Sequence, residues 1–327
     1  MKRKTIRVSE LKMGMRIILP SSWVDHPFLK STFVISSQDQ IQKLVEHGFE
    51  KVIIDASTAP PEEKGAIAAE VLKPSPPHEW EPDKLVPADL KEAIRDKNLS
   101  SDEKAAIVYK SSITMMERLL EDPKAENIRQ VKREISGIVD LIVSDAATAR
   151  SLLAITAYDF YTYTHSVNVG VLSIMLSKEL IGGSYAHDLH ELGAGFFLHD
   201  IGKVRIDPAI LNKPSRLTDE EMKIMKAHPF QGYKILREAN QLTEECRIIV
   251  MQHHERSDGG GYPNRLKGSE IHLYGRICCI ADVYDALTAD RPYKKRLNPF
   301  EALKIMKEDM LTHFHRELFD KFVLLFA

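Results

Sequence analysis

The sequence contains little cysteine, no excess of charge of one sign and no long run of apolar residues. Its three cysteines are an odd number, and Cys278 and Cys279 are adjacent in an apolar stretch. This excludes a disulfide framework and indicates buried free thiols in a reducing compartment. The formal net charge of −2 excludes a global basic field for DNA or an anionic membrane. Any recognition of phosphate therefore has to come from a local cluster of charges.

Signals for membrane insertion and export are also missing. No stretch approaches the ~20 apolar residues that span a bilayer. The basic start at residues 1–4 is not followed by the apolar segment of a signal peptide. We therefore expect a cytoplasmic protein with no membrane partner and no nucleic-acid polymer as ligand. The hydrophobic share of 43% still supplies enough side chains for a sizeable core.

The patterns that are present divide the chain into regions. Residues 1–72 predict a small α/β module, with strands at 15–19 and 51–55 and a helix that starts at a capping box of Ser37 and Gln40. Prolines among charges mark residues 73–88 as a linker. Apolar residues at helical spacing predict helices from residue 89 onward. The predicted fold class is mainly α.

Histidines and carboxylates in otherwise apolar, helix-like contexts are the most informative feature of the chain. A buried carboxylate needs a metal ion or a charged partner. Five imidazoles with two carboxylates are the ligand set of a two-metal hydrolytic centre, and they suit iron, manganese, zinc or nickel. The residues are His165, His199, Asp200, His228, His253, His254 and Asp282.

Taken singly, most of these residues have an ordinary structural explanation. His165 on its own favours a core histidine bonded to a carbonyl group. His228, before a proline, is equally typical of a helix cap. His253 and His254 end a predicted helix, where adjacent side chains diverge by ~100° and one would be buried and one exposed. Both reach one metal only near a helix end, with freedom supplied by the glycines at 259–261.

Two further features of the sequence concern charged side chains. A predicted helix over 196–203 places His199, Asp200 and Lys203 on about a third of its circumference. The apolar neighbours of these residues favour burial over a solvated polar face. Downstream there is a local basic cluster of Arg291, Lys294, Lys295 and Arg296. It could hold a phosphate, or it could be a solvated connection between helices.

The combined motifs resemble the HD-GYP family of phosphodiesterases, a branch of the HD superfamily. The resemblance rests on His199-Asp200 with Lys203, on His228-Pro229, and on the segments 253–263 and 280–293. It covers residues 145–327, which leaves 89–144 as a helical connector. The N-terminal module, with Gly14-Met15 and His26-Pro27-Phe28, resembles a domain of unknown function often found ahead of HD-GYP domains.

The resemblance implies an all-helical, HD-type metal-dependent phosphohydrolase domain that hydrolyses cyclic di-GMP to pGpG or GMP. A hydroxide bridging two divalent ions, iron or manganese, would attack the phosphate. Lys203 and Asp200 would be catalytic, and Arg291 and Lys294 would bind the substrate phosphate. One ion would be held by His165, His199, Asp200 and Asp282, and the other by His228, His253 and His254, with Asp200 bridging.

Two departures from the family pattern modify these expectations. Some members carry a Glu four residues before the first histidine that supports a third metal. Tyr161 stands at that position here, which predicts two metals. Members usually continue beyond the position of Ala327, so we expect a truncated C-terminus.

Partners and alternative functions are also implied by the resemblance. The loop 259–263 would serve substrate access or partner contact. GGDEF-type signalling proteins and a second copy of the chain in a homodimer are the expected partners. The alternatives are a hydrolase of another cyclic dinucleotide and a low-activity signalling adaptor that binds a cyclic dinucleotide.

Overall fold

A computed structural model describes much of the chain. The described residues are 3–12, 15–18, 32–35, 41–42, 44–45, 51–55, 85–156, 162–182, 184, 186–213, 215–289 and 297–326. They fall into two compact units, Met1–Pro76 and Pro77–Ala327.

The first unit contains a four-stranded antiparallel sheet in the order β1-β4-β2-β3. Arg3 pairs with Asp55 across β1 and β4, and Ile17 pairs with Ile54 across β2 and β4. The strands are β1 (Arg3–Arg7), β2 (Arg16–Ile18), β3 (Thr32–Val34) and β4 (Lys51–Asp55).

The core of this unit follows from the alternation of side chains along each strand. Successive residues of a strand point to opposite faces of the sheet, so Ile17 and Val52 are fully buried. Ile41 and Leu44 are buried on the same core, while Val45 is exposed. The two predicted strands are confirmed. Ser37 and Gln40, the predicted capping box, lie outside the described residues.

The second unit is helical over its described residues, which confirms the predicted fold class. Its first helices are α1 (Ala88–Arg95), α2 (Ser101–Glu121), α3 (Ala125–Ser144), α4 (Ala146–Thr156), α5 (Thr162–Ile181) and α6 (Leu189–Leu198). A 3-10 helix (Ile201–Arg205) precedes α7 (Pro208–Leu211), α8 (Asp219–Met225), α9 (His228–Glu238), α10 (Glu244–Gln252), α11 (Leu273–Thr288), α12 (Pro299–Glu308) and α13 (Arg316–Leu324).

Helix starts in this unit are set by local side-chain hydrogen bonds. Thr218 and Glu221 form a capping box at the start of α8, in which each side chain bonds the other residue's main-chain N–H. Ser100 and Glu103 do the same for α2. These caps satisfy N–H groups that have no partner inside the helix.

Among the described residues of the second unit, most helices pack on one apolar cluster. On α3 the residues Ile128, Val131, Ile135 and Ile142 are fully buried at helical spacing. Burial of each such side chain contributes roughly 1.5–3 kcal/mol. The segment 89–144, predicted as a connector, contributes to the same core as the helices that follow it.

The structure also bears on disulfide bonds and on membrane-spanning helices. The three cysteines are buried and free of disulfide bonds, as the sequence predicts. Among the described residues, the helices are too short or too polar to cross a membrane.

Candidate metal centre

Five structural elements bring the seven predicted metal-ligand residues into one place. Helix α5 carries His165, the end of α6 leads into His199 and Asp200, and α9 starts at His228. His253 and His254 follow the end of α10, and Asp282 lies on α11. The residues form two groups, each with ligating atoms within 4.8 Å of one another. We name them the His165 group (His165, His199 and Asp282) and the His228 group (Asp200, His228, His253 and His254).

Asp200 lies between the two groups, with one carboxylate oxygen toward each. Its Oδ2 is 3.4 Å from His165 Nε2 and 3.5 Å from His199 Nε2. Its Oδ1 is 3.2 Å from His228 Nε2 and 3.7 Å from His253 Nε2. This is the placement that a carboxylate bridging two cations requires.

Asp282 also faces both groups, although the sequence places it with one metal only. Its Oδ1 is 3.2 Å from His165 Nε2, and its Oδ2 is 3.3 Å from His254 Nδ1. Two carboxylates, not one, therefore separate the histidines of the two groups.

The backbone around Asp200 differs from the single helix predicted over 196–203. Helix α6 ends at Leu198, and a 3-10 helix starts at Ile201. The 3-10 segment lies directly against the start of α9, since a Cβ added at Gly202 would lie 1.9 Å from the carbonyl oxygen of His228. Lys203 still reaches Asp200 and donates a hydrogen bond to its Oδ2.

The histidines at helix ends also differ slightly from expectation. His228 is the first residue of α9 and Pro229 the second, one residue earlier than predicted. The last residue of α10 is Gln252, so His253 and His254 lie just beyond the regular helix. At the end of the helix both side chains join one group.

Main-chain carbonyl groups fix the orientation of three of the imidazoles. The Nδ1 atoms of His199, His228 and His253 lie 2.8, 2.8 and 2.9 Å from the carbonyl oxygens of Phe196, Met225 and Val250. A carbonyl only accepts, so Nδ1 carries the proton and the Nε2 lone pair points inward. These tautomers are inferred from the partners of each ring.

The resulting arrangement fits divalent cations. His228 Nε2 and His253 Nε2 are 3.1 Å apart, so two lone pairs face each other and Asp200 Oδ1. That buried oxygen forms no hydrogen bond of acceptable geometry among the described residues. Acceptors that converge without a donor are costly to bury, and a cation between them removes the cost. Imidazole nitrogens and carboxylate oxygens suit first-row transition metals.

The protonation states of most of the site agree with this conclusion. Burial lowers the pKa of His254 to about 3 and that of His253 well below its ordinary value, so both are neutral ligands at neutral pH. Burial alone would raise the pKa of Asp200, but Lys203 and His199 outweigh it and hold the carboxylate ionised. Neutral imidazole and ionised carboxylate are the forms that bind metals.

His165 is the exception to this pattern. Burial lowers its pKa, but hydrogen bonds to Asp200, Asp282 and Asp285 outweigh burial and raise the pKa well above its ordinary value. Its Nδ1 lies 2.6 Å from Asp285 Oδ2, a side chain to which the sequence assigns no role. A signal was present, because Asp285 follows Asp282 by three residues on the same apolar helix.

The loop after the histidine pair folds back onto the site. Glu255 is buried and accepts hydrogen bonds from the N–H groups of Asn264 (2.7 Å) and Leu266 (2.9 Å). Tyr262 donates its N–H to the carbonyl of His254, and its ring lies 4.6 Å from the His254 ring. Sequence reasoning missed Glu255, because a glutamate in a charged run is typical of a solvated surface.

Several predicted residues cannot be placed. Tyr161, Arg291, Lys294, Lys295 and Arg296 lie outside the described residues. Their roles stay predictions.

The second unit is helical, and it brings an adjacent His-Asp pair, further histidines and a second aspartate together in its interior. This arrangement defines the HD class of proteins. A family model for an HD domain matches residues 182–318, and a model for a domain of unknown function, DUF3391, matches residues 3–133. The second match confirms the N-terminal domain predicted by resemblance.

Known proteins show the same family. Cyclic di-GMP phosphodiesterase PA4108 of Pseudomonas aeruginosa is 36% identical over 325 residues, which are 98% of this chain and 76% of that protein. The chain belongs to the HD-GYP family of phosphodiesterases.

Other relatives match shorter parts of the chain. The cyclic di-GMP phosphodiesterase response regulator RpfG of Xanthomonas campestris is 48% identical over 30% of this chain and 26% of its own length. The 3'3'-cGAMP-specific phosphodiesterase 2 of Vibrio cholerae is 45% identical over 37% of this chain and 23% of its own length. A solved structure, the HDG"Y"P protein Bd1817 of Bdellovibrio bacteriovorus, aligns over 100% of both chains with a TM-score of 0.62 at 18% identity, which is a likeness of fold.

Proposed function

We propose that the protein is a metal-dependent phosphodiesterase that hydrolyses cyclic di-GMP with two divalent ions. The observation that carries the proposal is the position of Asp200, whose two oxygens face the histidines of two separate groups. A carboxylate with this placement can hold two cations side by side. When bound, the two ions would activate water and neutralise charge that develops on the phosphate.

The protein's own residues would hold this centre. The His165 group with Asp200 would bind one ion, and the His228 group the other, with Asp200 shared. The carbonyl contacts of His199, His228 and His253 would keep their Nε2 atoms aimed inward through the reaction. Such preorganisation avoids the cost of orienting ligands at each turnover.

Lys203 would act on the reacting phosphate. Its ammonium group bonds Asp200 Oδ2 while its side chain is 32% exposed, so it lies at the rim of the buried centre. A cation at this position can stabilise negative charge on the phosphate or donate a proton to the leaving oxygen. Arg291 and Lys294 are proposed, from the family resemblance alone, to hold the substrate phosphate.

The substrate class is supported by the relatives. The relative that matches nearly the whole chain is named for cyclic di-GMP, whereas the 3'3'-cGAMP-specific relative matches 37% of it. We therefore place cyclic di-GMP first and another cyclic dinucleotide second. The nitrogen and oxygen donors suit iron, manganese, zinc or nickel, and iron and manganese are proposed among these on the family resemblance. Products would be pGpG, GMP or both.

Further proposals follow from this substrate. Cyclic di-GMP is an intracellular messenger, so this substrate would place the enzyme in the cytoplasm. The three free thiols are stable in that compartment. GGDEF-type signalling proteins and a second copy of the chain are proposed as partners on the family resemblance.

The test combines metal analysis with a product assay. Protein purified without oxygen should contain two equivalents of iron or manganese and release pGpG or GMP from cyclic di-GMP. A parallel assay on 3'3'-cGAMP ranks the two substrates. Metal-loaded protein that binds cyclic di-GMP and leaves it intact would contradict the proposal and favour the signalling adaptor. Faster turnover of 3'3'-cGAMP would instead change the substrate only.

A further inference from the structure

A chain of hydrogen-bonded, buried side chains ends at His165. The Nδ1 atom of this imidazole contacts the carboxylate of Asp285, a residue that belongs to neither group. Asp285 Oδ2 lies 2.6 Å from His165 Nδ1, and Asp285 Oδ1 accepts a hydrogen bond of 2.7 Å from Asn168 Nδ2. Asn168 Oδ1 in turn accepts a hydrogen bond of 2.6 Å from the hydroxyl of Tyr109. Tyr109, Asn168 and Asp285 are all buried.

The direction of every bond in this chain is fixed by chemistry. An ionised carboxylate only accepts, so Asn168 must turn its NH₂ toward Asp285 and its oxygen toward Tyr109. The Tyr109 hydroxyl must then donate. The remaining Asp285 oxygen can only accept from His165, which places a proton on Nδ1 and leaves Nε2 to face Asp200 and Asp282.

The residues come from parts of the chain that are far apart in sequence. Tyr109 lies on α2, within the stretch matched by the model for the domain of unknown function, and Asp285 lies on α11, within the HD domain match. His165 and Asn168 on α5 belong to neither match. The orientation of a candidate ligand thus depends on a helix outside the HD domain.

We propose that Tyr109, Asn168 and Asp285 are positioning residues that fix the tautomer and ring orientation of His165 for metal binding. The inference rests on the proposed two-metal function. Carboxylates that accept from the second nitrogen of a ligating histidine orient the ring and raise its basicity, and their loss weakens metal binding by about 10- to 100-fold. The effect should be confined to the ion held by the His165 group.

The experiment titrates chelator-treated full-length protein with Mn²⁺ and counts bound ions by elemental analysis and calorimetry. Asp285→Ala should weaken one of two ions by about 10- to 100-fold and leave the other unchanged. Asp285→Asn retains an acceptor but loses the charge, so it should recover part of the affinity. Tyr109→Phe should weaken the same ion by a smaller factor, because its hydroxyl acts on His165 through two intervening side chains.

Tyr284→Phe is the matched control. Tyr284 is a fully buried tyrosine adjacent to Asp285, and its hydroxyl forms no hydrogen bond among the described residues. It should bind both ions as the parent does. Thermal unfolding of the metal-free proteins checks the fold, and if Asp285→Ala does not fold, Tyr109→Phe against Tyr284→Phe decides.

The outcomes separate the two proposals. A parent that binds two ions, with Asp285 and Tyr109 variants that bind both equally tightly, would overturn the positioning role alone. Equal weakening of both ions would also overturn it, because the effect would then be general. A parent that binds no manganese or iron would overturn the proposed function together with this inference.

Discussion

The two groups of the candidate metal centre differ in one histidine, because His165 is oriented by a distant side chain and not by a nearby main-chain carbonyl group. In the His228 group, His228 and His253 bond carbonyl groups of the main chain within four residues of their own position. In the His165 group, His199 bonds the carbonyl group of Phe196 in the same way, but His165 depends on Asp285, which is 120 residues away. A main-chain carbonyl stays in place under almost any substitution, whereas a side-chain partner is removed by one.

A single substitution should therefore disturb the orientation of His165 more easily than that of His228 or His253. The His228 group should keep its geometry as long as α9 and α10 fold. The His165 group should respond to changes in α2, α5 and α11 that leave the rest of the site intact. Between them lies Asp200, which both groups share, and the expected effects of substitution follow from that arrangement.

Removal of Asp200 should disable both groups, so that the difference between them no longer matters. Asp200→Ala takes away the carboxylate that faces four histidines. We expect loss of both ions and a fall in turnover of more than about a thousandfold, since metal activation supplies several kcal/mol. Elemental analysis and product release from cyclic di-GMP measure the two effects. Asp140→Ala, in an exposed pair with His190, is the control, and a variant at Asp200 that keeps its activity would refute the shared-ligand mechanism.

Removal of Lys203 should lower turnover and leave both groups filled. Lys203→Met removes a cation from the rim of the site but no ligand, so kcat should fall by about 100- to 1,000-fold. Metal content should stay that of the parent. Lys213→Met breaks another half-buried lysine pair, with Glu221, and should leave turnover unchanged. Loss of metal in the Lys203 variant would assign the residue to holding Asp200 in place.

Single histidine changes should separate the two groups. His199→Ala and His228→Ala each remove one buried imidazole from a different group. Each variant should retain one ion, and a double variant should retain none, as counted by elemental analysis after chelator treatment and Mn²⁺ loading. If either single variant loses both ions, the two groups form one cooperative site and the distinction between them fails.

The seven predicted residues lie close together in the structure, and the signals for them were histidines and aspartates in apolar helices together with the family resemblance. Their role as metal ligands stays a prediction. Each of the seven predicted ligands lies in one of the two groups. The strand at 51–55 was also predicted from a local pattern, and it is confirmed. Local patterns specify elements and the residue types on their faces.

Contacts between distant elements could not be read in the same way. The close approach of Gly202 to His228 joins the 3-10 helix to α9, and the role of Asp285 depends on the packing of α11 against α5. Glu255 reads as a surface charge until Asn264 and Leu266 fold over it. These features arise from tertiary packing, which residue spacing does not encode.

The smallest expected effect is a difference in pH dependence between the two groups. The carboxylates around His165 raise its pKa above the ordinary 6.5, so metal-free protein holds a proton there at neutral pH that metal binding must displace. Affinity for that ion should fall about tenfold for each pH unit of acidification below the raised pKa. His253 and His254, with pKa values lowered by burial, impose no such competition near neutral pH.

The same raised pKa fixes the sign of a second measurement. Protonated His165 contributes stability to metal-free protein that is fully present below pH 6.5 and is lost as the pH rises through its folded value. Mn²⁺ titrations between pH 6 and 8, with proton release followed in weak buffer, should therefore show one ion that releases a proton and one that does not. Asp285→Ala should reduce that release, because it removes one of the three carboxylates that hold the proton. Equal proton release by both ions would show that the two groups are protonated alike and that their different orientation has no electrostatic consequence.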